Sequence, residues 1–282
     1  MLNDVHFKVV DYFPKSDEVF SSVDIKGGIA ITYRDSNKSF GKINFFSEFK
    51  ELRSILSKLK KTDDFTIGEF AKLISSQGLY KFTDTVFSDY PRVLKVQGKG
   101  TAAKITSNSL ENLPELFLED YPHDGEVYIQ LLGRCKNQRV KRWIRKEYVH
   151  DVDYLLFYNV FVPEANGTGA IGEVLSTPII GTPMIGHTDT FLSIGQFESE
   201  QEAESCLKYI CTKFARTMLG TLKATQHNPR DTWANVPLQD FTSASDIDWS
   251  QSIPDIDKQL YKKYGLSPDE VAFIESKIKP MD

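Results

Sequence analysis

The sequence predicts an α+β fold, a mixed α/β chain in which strands and helices fall in separate stretches. Short runs of β-branched and aromatic residues between glycines and prolines mark strands at the N-terminus and through the middle. From Ser199 onward apolar residues recur at three- and four-residue spacing, as on an amphipathic helix. Two short helical segments close the chain. The expected order is an N-terminal strand pair and helices, a mostly β region, a long amphipathic helix and a short C-terminal helix pair. The boundaries fall at 1–80, 81–240 and 241–282.

Residues 5–12 (VHFKVVDY) and 29–33 (IAITY) read as strands, with Gly27 and Gly28 marking a turn between them. SEFKELRSILSKLKK places Phe49, Leu52, Ile55, Leu56 and Leu59 on one helical face, with Ser47 as cap. TIGEFAKLISSQGLY predicts a second helix from Thr66, with Phe70, Leu73 and Ile74 inward. RVLKVQG, EVYIQLLG, YLLFYNVFV and TFLSIG then read as strands. In the long helix Ser199 and Glu202 form a capping box, and Ala203, Leu207, Ile210, Phe214, Met218 and Leu222 form the apolar stripe. IPDIDKQLYKKYG and SPDEVAFIESKI complete the chain, with Ser267 as cap and Pro268 at the first helical position.

The totals narrow the function classes. The 282 residues are 40% hydrophobic and 26% charged, which suits a globular protein with a sizeable core. No run of eighteen apolar residues and no basic-then-apolar leader is present, so no membrane partner and a cytoplasmic location are expected. Cys135, Cys206 and Cys211 are scattered, and the five histidines lack metal-ligand spacing, which argues against a disulfide framework or a zinc site. Net charge is −5, but residues 231–282 hold 5 Lys or Arg against 10 Asp or Glu, leaving 29 against 29 in residues 1–230. The acidic excess lies in the tail, so the total does not exclude a local basic surface.

Gly167, Gly169 and Gly172 spell G-x-G-x-x-G, a pattern that holds a nucleotide only when a helix leaves it. Pro178 and Pro183 forbid that helix, so the glycines read as a turn. Asp189 is left with no nucleotide to bind.

Arg134, Lys136, Arg139, Lys141, Arg142, Arg145 and Lys146 form the most pointed feature, a stretch with no acid and with Trp143 and Tyr148 interleaved. Such a stripe after a strand suits a DNA-contacting hairpin or loop. It equally suits a solvated basic edge that discourages strand–strand aggregation. Lys213, Arg216 and Lys223 lie within about 80° on the long helix, where they suit phosphate contact or plain complementation of the helix dipole. Pro268, Asp269, Glu275 and Lys277 echo a metal-dependent nuclease string, but on a helix rather than a strand. Asp17, Asp24 and Lys26 are a weaker version. No nucleophile elbow, P-loop or Ser–His–Asp set is visible.

Five segments taken in order, FPKSDEVFSSVDIKGGIAITY, GRCKNQRVKRWIRKEYV, FVPEANGTGAIGEVLSTPIIGTP, HTDTFLSIGQFESEQEAESCLKYICTKFARTMLG and DFTSASDIDWSQSIPDIDKQLYKKYGLSPDEVAFIE, resemble the C-terminal part of type II restriction–modification enzymes with an adenine-specific DNA methyltransferase domain. The resemblance implies that residues 1–45 supply the last strands of a methyltransferase sheet and that residues 80–240 form a target-recognition region gripping duplex DNA. The family's methyl-donor loop and Pro-Pro-Tyr motif lie upstream of the matching segments. The expectation is therefore a truncated enzyme, a separate specificity polypeptide or an excised piece, without a complete methyltransferase or nuclease site.

On this reading the Arg134–Lys146 stripe and Lys213, Arg216 and Lys223 contact phosphates, while Asn166, Thr168 and His187 read bases. The partners expected are double-stranded DNA and a methyltransferase or nuclease domain or subunit. No cofactor is expected in this chain, whereas the full family enzyme uses S-adenosylmethionine and magnesium. Two alternatives stand beside it: a cryptic magnesium-dependent endonuclease, and a protein-interaction module using the sheet edge at Ile29–Tyr33.

Overall fold

The computed structural model describes all residues except 1–2, 14, 23–27, 44–46, 48, 98–102, 168–170, 172–174, 224 and 282. It bears out the mixed α+β class. Contacts divide the chain into Met1–Leu59 and Lys60–Asp282, where the sequence suggested boundaries near 80 and 240.

In the first unit β1 (Phe7–Phe13) and β2 (Ile29–Arg34) pair antiparallel from Phe7↔Arg34 to Phe13↔Ile29, with a bulge between Val9 and Asp11. Tyr33 packs edge-on against Phe40 at 5.8 Å, and the Lys8 ammonium sits 4.8 Å from the Phe40 ring. α1 (Lys50–Leu59) buries Leu52, Ile55, Leu56 and Leu59, the face its spacing predicts, and the Ser47 hydroxyl accepts from the Phe49 N–H at 3.2 Å.

The second unit begins with one-turn helices: α2 (Glu69–Lys72), α3 (Asp84–Asp89), α4 (Val93–Val96) and α5 (Ser109–Asn112). The predicted helix from Thr66 shrinks to α2 because its ends are claimed elsewhere. Gly68 enters it in the left-handed region at φ 85°, and after Leu73 the backbone turns into sheet pairing, with Ser75 N–H donating to the Ser193 carbonyl at 2.8 Å. RVLKVQG, read as a strand from its valines, forms α4 with Val93 fully buried.

Two three-stranded sheets follow. In one, β3 (Tyr128–Cys135) pairs antiparallel with β4 (Gln138–Arg145) and parallel with β7 (Ile185–His187), giving the order β4-β3-β7. In the other, β5 (Tyr158–Pro163) is central, with β6 (Ile179–Gly181) and β8 (Phe191–Phe197) antiparallel on its sides. Gly181 is dictated by contact, since a Cβ there would lie 2.1 Å from the Phe161 ring. One face of β3–β4 joins Ile129, Leu131 and Ile144 to a core with Phe82, Val86 and Leu113, and Leu132 on the opposite face meets Phe161 and Phe191.

The long C-terminal helix is two. α6 (Glu200–Cys211) ends at Thr212, whose backbone is extended at ψ 150°, and α7 (Lys213–Gly220) begins beyond it. The Thr212 hydroxyl caps α7 by accepting from Ala215 N–H at 3.1 Å, and the buried Asp257 carboxylate accepts from the Lys213 and Phe214 N–H groups, each at 2.9 Å. Those caps satisfy the orphan donors that a break creates. α8 (Ile253–Lys263) and α9 (Pro268–Lys277) form the expected closing pair, with a complete Ser267–Glu270 capping box. Tyr209 of α6 forms an aromatic cluster with Phe241 and Trp249, and Phe70 packs between Tyr209 and Trp233.

Candidate nucleic-acid interface

The basic stripe folds as a β-hairpin. β3 and β4 are joined by Lys136 and Asn137 alone, both at positive φ (47° and 63°), a two-residue turn whose twist matches that of its strands. Arg134 faces Arg139 across the ribbon, Leu132 faces Lys141, Gln130 faces Trp143 and Tyr128 faces Arg145. Because side chains alternate, these pairs share one face, while Val140, Arg142 and Ile144 lie on the other.

The seven cations divide along the ribbon. At its base, Arg142 meets Glu119 at 2.5 Å, Arg145 meets Glu147, Asp124 and Glu126 at 3.2, 3.6 and 3.8 Å, and Lys146 pairs with Asp151. Three cations thus face five carboxylates. The Asp124 carboxyl is held below the usual range by the Glu126 N–H and the Tyr128 hydroxyl that donate to it, and Asp151 by Lys146. An open cavity of 590 Å³ beside this base, walled by Thr83, Val127, Arg145, Lys146 and His150 among others, is correspondingly mixed in charge.

At the tip, Arg134, Lys136 and Lys141 are exposed and have no carboxylate partner among the described residues. Arg139 donates to the Ser176 and Thr177 carbonyls at 2.9 and 2.7 Å and lies 5.4 Å from the Phe191 ring centroid. Those contacts fix its side chain without cancelling its charge. The Glu111 carboxylate accepts from the Lys136 N–H at 3.4 Å. The tip therefore sets four cations against one carboxylate. Six residues of strand, about 20 Å, separate Arg134 from Tyr128, more than the screening length of about 8 Å at physiological salt; Lys141 lies between the ends, next to Arg142 in sequence but on the opposite face of the ribbon.

The other predicted contacts are turned inward. Arg216 is buried, its Nε donating to the Cys211 and Thr212 carbonyls at 3.2 and 3.3 Å and its Nη2 to the Lys279 carbonyl at 2.5 Å, and burial lowers its pKa. Lys213 pairs with Glu275, and the buried Lys223 ammonium donates to the Asn166 carbonyl at 2.5 Å. Asn166 is itself buried, its Oδ1 accepting from Ser176 N–H at 2.7 Å. These side chains join chain segments and turn their polar heads to intramolecular partners, where the sequence suggested DNA contacts.

His187, expected from the sequence to read bases, is likewise turned inward. Its Nδ1 lies 2.9 Å from the Thr188 carbonyl, which can only accept, so Nδ1 carries the proton and Nε2 accepts from the Ser193 hydroxyl at 2.8 Å. The ring abuts Tyr80 and Phe161 at 5.0 and 4.9 Å, and burial pulls its pKa down to about 4. It links β7 to β5 and β8, and thereby seats the ribbon on the second sheet.

Thr168 lies outside the described residues, as do Gly169 and Gly172 of the glycine pattern; the next helix among the described residues is α6. Asp24 and Lys26 are also outside them. Asp269 and Glu275, six residues apart on α9, point about 120° away from each other, and Glu275 is engaged by Lys213 and by the Tyr261 hydroxyl at 2.9 Å. Among the described residues no group of three His, Cys, Asp or Glu is gathered as a metal site, and no helix is long and apolar enough to cross a membrane.

What the stripe left unseen is its neutralisation. Glu119, Asp124 and Glu126 precede β3 and reach the cations only because β4 folds back beside them. The acids crowded between Glu119 and Glu126 were the available signal. No protein-family model matches the chain, and comparison with curated proteins finds no significant match.

Proposed function

We propose that the chain recognises duplex DNA through the tip of the β3–β4 ribbon, as the target-recognition part of a restriction–modification system. The single observation that carries this reading is the asymmetry of the ribbon: Arg134, Lys136 and Lys141 stay exposed with no ion-pair partner among the described residues, while the base cations are matched by acids. A two-stranded ribbon fits a major groove about 12 Å wide, where Arg and Lys reach guanine edges as well as phosphates. Arg139, pinned to two carbonyls, orients the ribbon rather than reading bases. The restriction–modification setting rests on the five-segment resemblance. Catalysis would belong to a methyltransferase or nuclease partner supplying S-adenosylmethionine or magnesium chemistry.

The test is selection of binding sites from a random duplex library by the purified chain. Enrichment of a defined sequence supports recognition; a pool that stays random while binding persists would remove the sequence-specific part, and absence of binding at low salt would remove the whole reading. A second reading, protein interaction, is favoured by the N-terminal ribbon, where Ile31 and Tyr33 are exposed on β2. Self-association at high concentration with no DNA binding would favour it instead.

A further inference from the structure

Beside the cationic tip, the same ribbon face carries an aromatic group that the fold does not use up. Trp143 shares that face with Lys141, two residues away, or about 7 Å along the strand. Tyr121 stands edge-on to Trp143 at 5.0 Å, to Tyr128 at 5.5 Å and to His123 at 4.9 Å. Tyr121 and His123 are exposed, and Trp143 is half-buried.

The other two tryptophans make the contrast. Trp233 and Trp249 are buried, and their indole N–H groups donate to the Asn228 and Asp240 carbonyls at 3.3 and 2.9 Å. The Trp143 indole has no such partner among the described residues. A core or strictly structural tryptophan normally spends its N–H on a partner; this one keeps both a ring surface and a donor at the surface.

The charges around the cluster favour one occupant. The carboxylates of Asp124 and Glu126 are taken up by Arg145, and Glu119 by Arg142. Lys141 is an exposed cation on the same ribbon face as Trp143, with no carboxylate partner among the described residues, while Asp120 stands beside Tyr121 in the chain. Aromatic rings next to an available cation are what a nucleotide needs, with the base on the ring and the phosphate on the ammonium.

We propose that Tyr121 and Trp143 form a stacking platform for an unpaired nucleic-acid base whose adjoining phosphates lie along Lys141 toward the ribbon tip. The proposal rests on the DNA-recognition reading and narrows it: the ribbon prefers DNA in which one nucleotide has left the stack. Every base has an aromatic face, so the platform tolerates any base and the tip supplies selectivity.

The experiment compares a fully paired duplex with the same duplex carrying one extrahelical adenine, by anisotropy and by intrinsic fluorescence. Since Trp233 and Trp249 are buried, quenching on binding reports Trp143. The bulged duplex is expected to bind about tenfold more tightly and to quench the emission, with Trp143→Phe abolishing the quench. Tyr121→Ala removes the preference and leaves paired-duplex binding in place. Equal affinity for the two duplexes without quenching would overturn the platform while leaving duplex recognition standing. Binding of the bulged duplex alone would uphold the platform and overturn duplex recognition, and binding of neither at low salt would overturn both.

Discussion

Acid should weaken this protein through His187, and the size of the effect follows from its surroundings. The ring is 1% exposed, with both nitrogens committed to neutral hydrogen bonds and its faces against aromatic rings. A proton on Nε2 would displace the Ser193 hydroxyl donor and leave an imidazolium without a counter-charge. The folded pKa is about 4 against an ordinary value of 6.5, so between those values the unfolded chain binds the proton and the folded chain does not. Stability is therefore lost as pH falls through 6.5 toward 4. From pH 7.5 to 4.5 the linkage amounts to about 2.5 kcal/mol for this one ring.

Asp257 titrates in the opposite sense, because burial raises its carboxyl to about 6 and the folded state then takes up a proton first. The measurement must separate the two. Urea unfolding of the wild type and of His187→Gln, which keeps an amide donor and acceptor without titrating, cancels Asp257 in the difference. The wild type should lose about 2.5 kcal/mol relative to the variant over that range. A difference that does not change with pH would refute the buried neutral ring and the sheet junction built on it.

The inward-turned cations give a second expectation. Arg216→Ala strips donors from the Cys211, Thr212 and Lys279 carbonyls and should cost about 3 kcal/mol, seen as a melting temperature lowered by roughly 6–12 °C. Lys141→Ala should stay within about 0.5 kcal/mol. Equal losses would contradict the division between structural and presented cations. At the hairpin turn, Lys136→Asn combined with Asn137→Gly relieves two positive-φ positions and should stabilise the protein by about 1 kcal/mol. Destabilisation in urea unfolding would mean that the turn conformation is wrong.

Much of the architecture was legible because it is local. The α1 stripe, the strands at Tyr128–Cys135 and Phe191–Phe197, and the Ser267 cap follow from periodicity and capping chemistry that operate within a few residues. The Ser199–Glu202 box was half right: Ser199 accepts from Glu202 N–H, but the Glu202 carboxylate reaches back to Glu198 N–H. Thr212 ends α6 inside an unbroken apolar stripe because Asp257, 45 residues away, stabilises the new helix start. No local pattern carries that information. The site divides in the same way. The cations of the stripe were visible as a run, but which of them stay charged toward solvent depended on acids brought in by strand pairing. Arg216 and Lys223 looked like a presented face because helical spacing locates a side chain without revealing what covers it.

The most direct test of the account is the salt dependence of duplex binding for two triple variants. One carries Arg134→Gln, Lys136→Gln and Lys141→Gln at the tip; the other carries Arg142→Gln, Arg145→Gln and Lys146→Gln at the base. Each lost phosphate contact reduces the slope of log K against log salt by about 0.9. The tip variant should show a slope shallower by about 2.7 and the base variant, whose cations are already matched by acids, little change. Equal changes in the two variants, or wild-type binding that does not respond to salt, would contradict recognition through the tip.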